Sequence, residues 1–171
     1  MLEIIILLLF PLAMFYAAAS DLFSMTISNK VSIILVAGFV ILSWAIGMDW
    51  ATIAWNWGLA AIVLTIGIGF FAVGLVGGGD VKLAAATSLW LGWEHTLPYL
   101  IMASFMGGVL TLMIIIARAW SLPVALHNVE WINRLHNKEK DVPYGIALGP
   151  AAVLIYPETP WMQYVFNAIT H

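Results

Sequence analysis

The sequence has 171 residues, of which 63% are hydrophobic and 9% are charged, with a net charge of −3 and a mean hydropathy of +1.01. Soluble domains carry about 25% charged residues, so this composition excludes a globular protein and predicts a single membrane-embedded domain over residues 1–171. The chain lacks cysteine, which excludes disulfides and thiolate metal sites, and it lacks the basic tract that a nucleic-acid partner requires.

Six uncharged stretches predict an all-α fold with about six transmembrane helices, since roughly 20 apolar residues cross a bilayer. They span residues 4–20, 31–48, 59–76, 83–93, 97–117 and 142–156. Trp55, Asn56 and Trp57, which precede the third stretch, are predicted at the membrane interface. Gly67 and Gly69 within that stretch predict close helix packing.

Residues 118–141, between the last two stretches, contain most of the basic side chains. Leu126, Val129, Ile132 and Leu135 recur there every three residues. This spacing predicts a short amphipathic helix that lies on the membrane surface. A short tail follows residue 156.

The distribution of basic residues predicts the orientation of the chain. All six lysines and arginines follow stretches one, three and five, and none lies at either terminus or after stretches two and four. The positive-inside rule therefore places the loops after stretches one, three and five in the cytoplasm and both termini outside.

Three consecutive glycines, Gly77, Gly78 and Gly79, precede Asp80 in the most apolar part of the chain. Glycine adopts backbone angles closed to other residues and lets another chain approach closely. An ionisable group beside a membrane-spanning run is costly, so Asp80 is a functional-site hypothesis that needs a partner. Asp21 is the other acid that interrupts an apolar run, and the predicted orientation places both aspartates at the cytoplasmic boundary.

Two carboxylates close together share a proton, so that one can act as a general base and the other as a general acid. The base would take a proton from a water that attacks a peptide carbonyl, while the acid protonates the carbonyl oxygen, without a metal or cofactor. The glycines would let an extended substrate backbone hydrogen-bond to the enzyme. A lone aspartate at a helix end is ordinarily a cap or a salt-bridge partner, but Lys82 is too close in sequence to Asp80 to require a glycine loop.

Several neighbouring residues have two interpretations each. Lys82 holds substrate or tunes Asp80, or it anchors the chain at the interface. Asn29 orients Asp21 or, preferably, caps the second helix. The four histidines lack metal-ligand spacing, and the nine tryptophans are predicted as interface anchors.

Three separated motifs resemble the prepilin peptidases, a family of GxGD aspartyl proteases. Gly-Gly-Gly-Asp-Val-Lys-Leu at 77–83 fits the GxGD signature. Asp21 followed by Ile-Ser-Asn at 27–29 resembles the first family motif, an aspartate followed six to eight residues later by Ile-Pro-Asn, with Ser28 where proline is usual. Pro143-Tyr144-Gly145 resembles the Pro-Tyr/Phe-Gly segment of the last span. With this resemblance, Pro143 and Gly145 are expected to shape a cleft beside the aspartates, although a proline at a helix start explains Pro143 equally well.

The resemblance implies a membrane aspartyl endopeptidase that removes the short leader from type IV or Flp-like prepilins at the cytoplasmic face of the inner membrane. It implies that Asp21 and Asp80 are the catalytic pair and that a prepilin or pseudopilin helix and membrane lipid are the partners. The compact size is most similar to the short Flp/Tad-type form. Longer relatives carry a cysteine-rich zinc-binding domain, so its absence predicts a chain without N-methyltransferase activity.

Other functions stay open at this point. Archaeal preflagellin peptidases are also similar, whereas presenilin-type enzymes pair GxGD with Tyr-Asp or Phe-Asp, and Ser20 precedes Asp21 here. A proton-coupled carrier would also place acids near a membrane, although carriers often show repeats and midplane charges. A non-catalytic subunit of a pilus assembly machine would tolerate replacement of both aspartates.

Overall fold

The computed structural model describes residues 1–120, 128–137 and 142–170, and the regular elements in these ranges are all helices, which confirms the all-α prediction. The elements are α1 (Leu2–Ser24), α2 (Asn29–Ala45), α3 (Trp50–Ala72), α4 (Gly78–Ala119), α5 (Glu130–His136), α6 (Gly145–Ile155), a 3-10 turn (Tyr156–Glu158) and α7 (Pro160–Thr170). Helices α1, α3 and α4 are long and apolar enough to cross a membrane, and α2 and Gly145–Glu158 are shorter apolar segments. The number of six crossings and the outward termini stay predictions.

Helix α4 is interrupted at Gly92, where φ is 68° and ψ is −174°. This backbone region is essentially restricted to glycine. The interruption divides α4 into a first half, residues 78–91, and a second half, residues 93–119. The first half contains most of the predicted stretch 83–93, and the second half contains the predicted stretch 97–117. A single residue, Gly92, takes the place of the turn expected between them.

The interruption frees backbone carbonyls inside the fold, and two side chains satisfy them. Asn56 Nδ2 donates to Leu89 O at 3.1 Å, and Trp161 Nε1 donates to Trp90 O at 2.9 Å. A buried carbonyl without a partner would cost about 1–3 kcal/mol, so these bonds stabilise the break. Asn56 is only 7% exposed, so its polar side chain serves α4 rather than the predicted interface.

An aromatic cluster packs around the end of the first half of α4. Trp90 and Trp161 lie with their ring centroids 4.8 Å apart, and Phe10 stacks on Tyr156 at 4.4 Å. Phe39 of α2 contacts Trp161 at 5.8 Å. The cluster therefore joins α1, α2, α4 and the C-terminal segment. Trp90 and Trp161 are each 1% exposed, so the prediction that the tryptophans are interface anchors is wrong for these two.

The predicted amphipathic segment contains α5, while Leu126 lies outside the described residues. Arg118 Nε, at the end of α4, donates to Leu135 O at 2.7 Å. Trp131 meets Phe23 of α1 edge-on, with ring centroids 6.0 Å apart. These contacts place α5 beside the last turns of α1.

Candidate active site

Asp21 lies in the last turn of α1 and is 5% exposed. Its Oδ2 atom accepts a hydrogen bond of 2.7 Å from the backbone N–H of Gly145, at the start of α6. A Cβ atom built on Gly145 would lie 2.8 Å from Asp21 Cβ and 2.9 Å from Oδ2, closer than real Cβ contacts come. Glycine at 145 is therefore what allows α6 to begin directly against the Asp21 carboxylate.

Asp80 is the third residue of α4 and is half-buried. Gly77 is the N-cap, with extended angles of −72° and 143°, and Gly78 and Gly79 are already helical. Among the described residues the glycines with positive φ are 47, 74 and 92, so the prediction that the triplet needs unusual backbone angles is wrong. Within the triplet, only Gly77 has the extended backbone that a strand-like pairing with substrate requires.

Close approach explains the triplet better than backbone angles do. A Cβ on Gly79 would lie 3.2 Å from Ile27 Cβ, and a Cβ on Gly78 would lie 3.4 Å from the ring of Phe71. A Cβ on Gly77 would lie 2.7 Å from Oδ2 of Asp80 itself. The small residues let the start of α4 pack against α3 and against the loop between α1 and α2.

Ile27 connects the surroundings of the two aspartates. Its Cβ packs against Gly79, next to Asp80, and its Cδ1 would lie 3.1 Å from a Cβ on Gly145, the residue bonded to Asp21. The side chain therefore lies between the two glycine segments. Ile27 was not predicted as a site residue, although its place in the Ile-Ser-Asn motif at 27–29 was the available signal.

Lys82 and Asn29, both predicted near the site, contact each other. Lys82 Nζ donates to Asn29 Oδ1 at 3.0 Å, which links the starts of α4 and α2 at the protein surface. The N-cap of α2 is Ser28, whose hydroxyl accepts from Lys30 N at 3.3 Å. The prediction that Asn29 caps this helix is therefore wrong, because Ser28 holds the cap position and the Asn29 side chain accepts from Lys82 instead.

Tyr144 and Asp80 line the same cavity, which has a volume of about 460 Å³. The Tyr144 ring packs on Gly107, where a Cβ would come within 2.7 Å of Cε1, and the Tyr144 hydroxyl lies 3.5 Å from Thr111 Oγ1. Pro143 is buried just before α6, and its carbonyl accepts from Ile146 N at 3.3 Å.

The structure thus brings the three sequence motifs to one end of the helices. Asp21 contacts Gly145, Asp80 shares a cavity with Tyr144, and Ile27 packs against the glycines next to both. Within the described ranges, no group of three His, Cys, Asp or Glu side chains is placed to hold a metal ion. What the arrangement offers chemically is a pair of carboxylates, one buried against a backbone donor and one at a cavity.

Membrane-length helices that carry two aspartates at one end define a class of polytopic membrane protein with an acidic site. The model of the type IV leader peptidase family matches residues 8–112, which include Asp21 and Asp80. The match covers more than half of the chain, and the chain belongs to the type IV leader peptidase family. It is therefore a peptidase, of the aspartic type in this family. Comparisons with curated proteins and with solved structures find no significant match.

Proposed function

We propose that the chain is a membrane aspartyl endopeptidase that removes the short N-terminal leader from type IV or Flp-like prepilins, with Asp21 and Asp80 as the catalytic pair. The convergence of three distant motifs carries the proposal. Asp21 is bonded to Gly145 N, and the adjacent Tyr144 lines the cavity that holds Asp80. Family membership supplies the type of reaction.

The chemistry follows from two carboxyl groups that share one proton. The ionised carboxylate takes a proton from water, and the water oxygen bonds to the carbonyl carbon of the scissile peptide. The protonated carboxyl gives its proton to the carbonyl oxygen as negative charge develops there. Transfer of a proton to the amide nitrogen then releases the amine as the C–N bond breaks. Each such acid or base contributes on the order of 10²–10⁴-fold to the rate.

The site is proposed at the cytoplasmic face of the inner membrane, with six crossings made by α1, α2, α3, the two halves of α4, and α6. Basic residues support this orientation. Lys82 reaches Asn29, next to Lys30, and Arg118 at the end of α4 reaches Leu135 in α5. These cations therefore lie at helix ends that border the loops placed in the cytoplasm by the positive-inside rule, as Asp21 and Asp80 do. Lys138 and Lys140 lie outside the described residues.

Conservative replacement of each aspartate tests the proposal. Asp21→Asn and Asp80→Asn keep the side-chain shape and remove the acid. We expect each variant to lower the cleavage rate of a purified prepilin in lipid nanodiscs by on the order of 10²–10⁴-fold. Cleavage would be followed by mass spectrometry of the released leader.

Asp49→Asn is the matched control. Asp49 is the N-cap of α3, where its carboxylate accepts from Ala51 N and Thr52 N. Asparagine caps helices as well as aspartate does, so this variant should fold and cleave normally. Normal cleavage by either the Asp21→Asn or the Asp80→Asn variant would disprove the catalytic pair. A preflagellin offered in parallel distinguishes the archaeal-type enzyme.

A further inference from the structure

The cavity beside Asp80 continues as a groove between α3 and the second half of α4, called here the α3/α4 groove. Gly67 and Phe70 of α3 line one wall, and Ala103, Ser104 and Gly108 of α4 line the other. From residue 100 to residue 108 the groove follows α4 over eight helical rises, or about 12 Å at 1.5 Å per residue. It therefore matches about two turns of a helix.

The lining of the groove is apolar except at one end. Asp80 is the one charged residue among the described residues that line it. The Ser104 hydroxyl donates to the carbonyl of Leu100 at 2.7 Å, so its hydrogen needs no hydrogen-bond acceptor from the substrate. A groove with this lining suits an apolar peptide segment whose scissile bond lies next to the Asp80 carboxylate.

Small residues leave the α4 wall open. Gly108 is exposed, and a Cβ built on it would meet no atom within 4 Å. The neighbouring Gly107 differs, because its own Cβ position is filled by the ring of Tyr144. Ser104 and Gly108 lie four residues apart on one helix face. Small residues with this spacing let a second helix approach closely inside a membrane.

We propose that the α3/α4 groove binds the apolar helix of the substrate, with the residues that immediately follow the scissile bond. This inference rests on the proposed peptidase function. A peptide bond at Asp80 places the next two helical turns within the length of the groove, against Ser104 and Gly108. The residues of those two turns then contribute to the choice of substrate.

A second cavity, of about 490 Å³, lies between α2, α3 and the first half of α4. Its lining includes Lys82 and Ala61 but, among the described residues, not Asp80. A helix bound there would not begin at the catalytic carboxylate. This cavity therefore serves as a control rather than as a second candidate.

Gly108→Leu tests the proposal by filling the groove. We expect KM for a full-length prepilin to rise at least tenfold with kcat changed less than about threefold, because ground-state binding is what the leucine blocks. Cleavage of a short peptide that ends soon after the scissile bond should be unchanged. Ser104→Leu fills the groove one turn away and should act in the same way if Gly108→Leu does not fold.

Two leucine variants are the matched controls. Gly69 of α3 is exposed, meets no atom within 4 Å at its Cβ position, and is not among the groove residues. Gly69→Leu and Ala61→Leu should leave KM for prepilin unchanged.

An unchanged KM in both groove variants would overturn the proposal, as expected for a groove occupied by lipid. An equal rise in KM for prepilin in the Gly69→Leu variant would also overturn it. So would an equally reduced cleavage of the short peptide by the groove variants. If the unaltered protein cleaves prepilin and loses activity in the Asp80→Asn variant, the peptidase function stands whatever the groove variants show. If the unaltered protein cleaves no prepilin, the proposed function fails and this inference fails with it.

Discussion

Replacement of Gly145 by alanine separates the Asp21 carboxylate from its backbone donor while leaving both aspartates in the sequence. The added methyl would lie 2.8 Å from Asp21 Cβ and 2.9 Å from Oδ2, so the carboxylate, α6 or both must shift. The shift breaks or lengthens the 2.7 Å hydrogen bond from Gly145 N. Loss of a partner to a buried polar group costs about 1–3 kcal/mol.

If that free energy is lost in the transition state, kcat/KM falls roughly 5- to 150-fold, since 1.36 kcal/mol corresponds to a tenfold change. The assay is prepilin cleavage in nanodiscs at several substrate concentrations. Gly69→Ala, in a position where a Cβ meets no atom within 4 Å, controls for the general effect of alanine in a membrane helix. A Gly145→Ala variant as active as Gly69→Ala would refute the idea that this contact positions a catalytic group.

Further predictions concern the helix break and the surface contact near the site. Gly92→Ala should lower the free energy of unfolding by about 1–3 kcal/mol and reduce Tm in detergent, because alanine is strained at a positive φ. Gly58→Ala, with open space around its Cβ position, should be neutral or slightly stabilising. Equal Tm values for the two variants would contradict the strain expected at residue 92. Asn56→Leu should destabilise the fold by about 1–3 kcal/mol in the same assay, because the carbonyl that it serves at the break loses its donor, and an unchanged Tm would contradict that role. Asn29→Ala and Lys82→Ala should each reduce cleavage only a few-fold, and their effects should not add in a double-mutant cycle; strict additivity would show that the contact does not matter.

The candidate site residues could be singled out because they break local rules in the sequence. Asp21 and Asp80 are acids in apolar runs, and three consecutive glycines such as Gly77–Gly79 are unfavourable in an ordinary helix. The Pro143–Gly145 segment came from the family resemblance, and the structure places it against Asp21. These features are visible without coordinates because each is local to one segment.

Features that depend on packing between distant segments were predicted poorly. The excess length of the uncharged stretch put Asn56 at an interface, whereas its side chain is buried and donates to the carbonyl of Leu89, 33 residues later. A Cβ built on Gly67 would lie 2.5 Å from Val81 Cγ1, whereas a Cβ built on Gly69 would meet no atom within 4 Å. Both glycines were predicted to allow close helix packing, and the sequence could not show that only Gly67 does so.

The ends of the elements were also set by contacts that the sequence does not reveal. Ser28 is the N-cap of α2, and the side chain of Asn29, the next residue, accepts a hydrogen bond from Lys82. Helix α7 was expected only as a tail, and it is held by Trp161, whose indole N–H meets a carbonyl freed by the Gly92 break. The position of α7 therefore depends on a break in α4 whose backbone angles no local pattern predicts.

The proximity of the two aspartates to each other in the membrane is the central claim, and the chain has no cysteine to interfere with a thiol measurement. In an Asp21→Cys/Asp80→Cys variant, a short bifunctional thiol-reactive reagent such as a bismaleimide should form an intramolecular cross-link in nanodiscs containing a prepilin. An Asp21→Cys/Glu94→Cys variant should not be cross-linked, because about 16 Å of α4 separates residue 80 from residue 91, just before the Gly92 break. Cross-linking of the Glu94 pair alone, or of neither pair, would contradict a shared two-aspartate site.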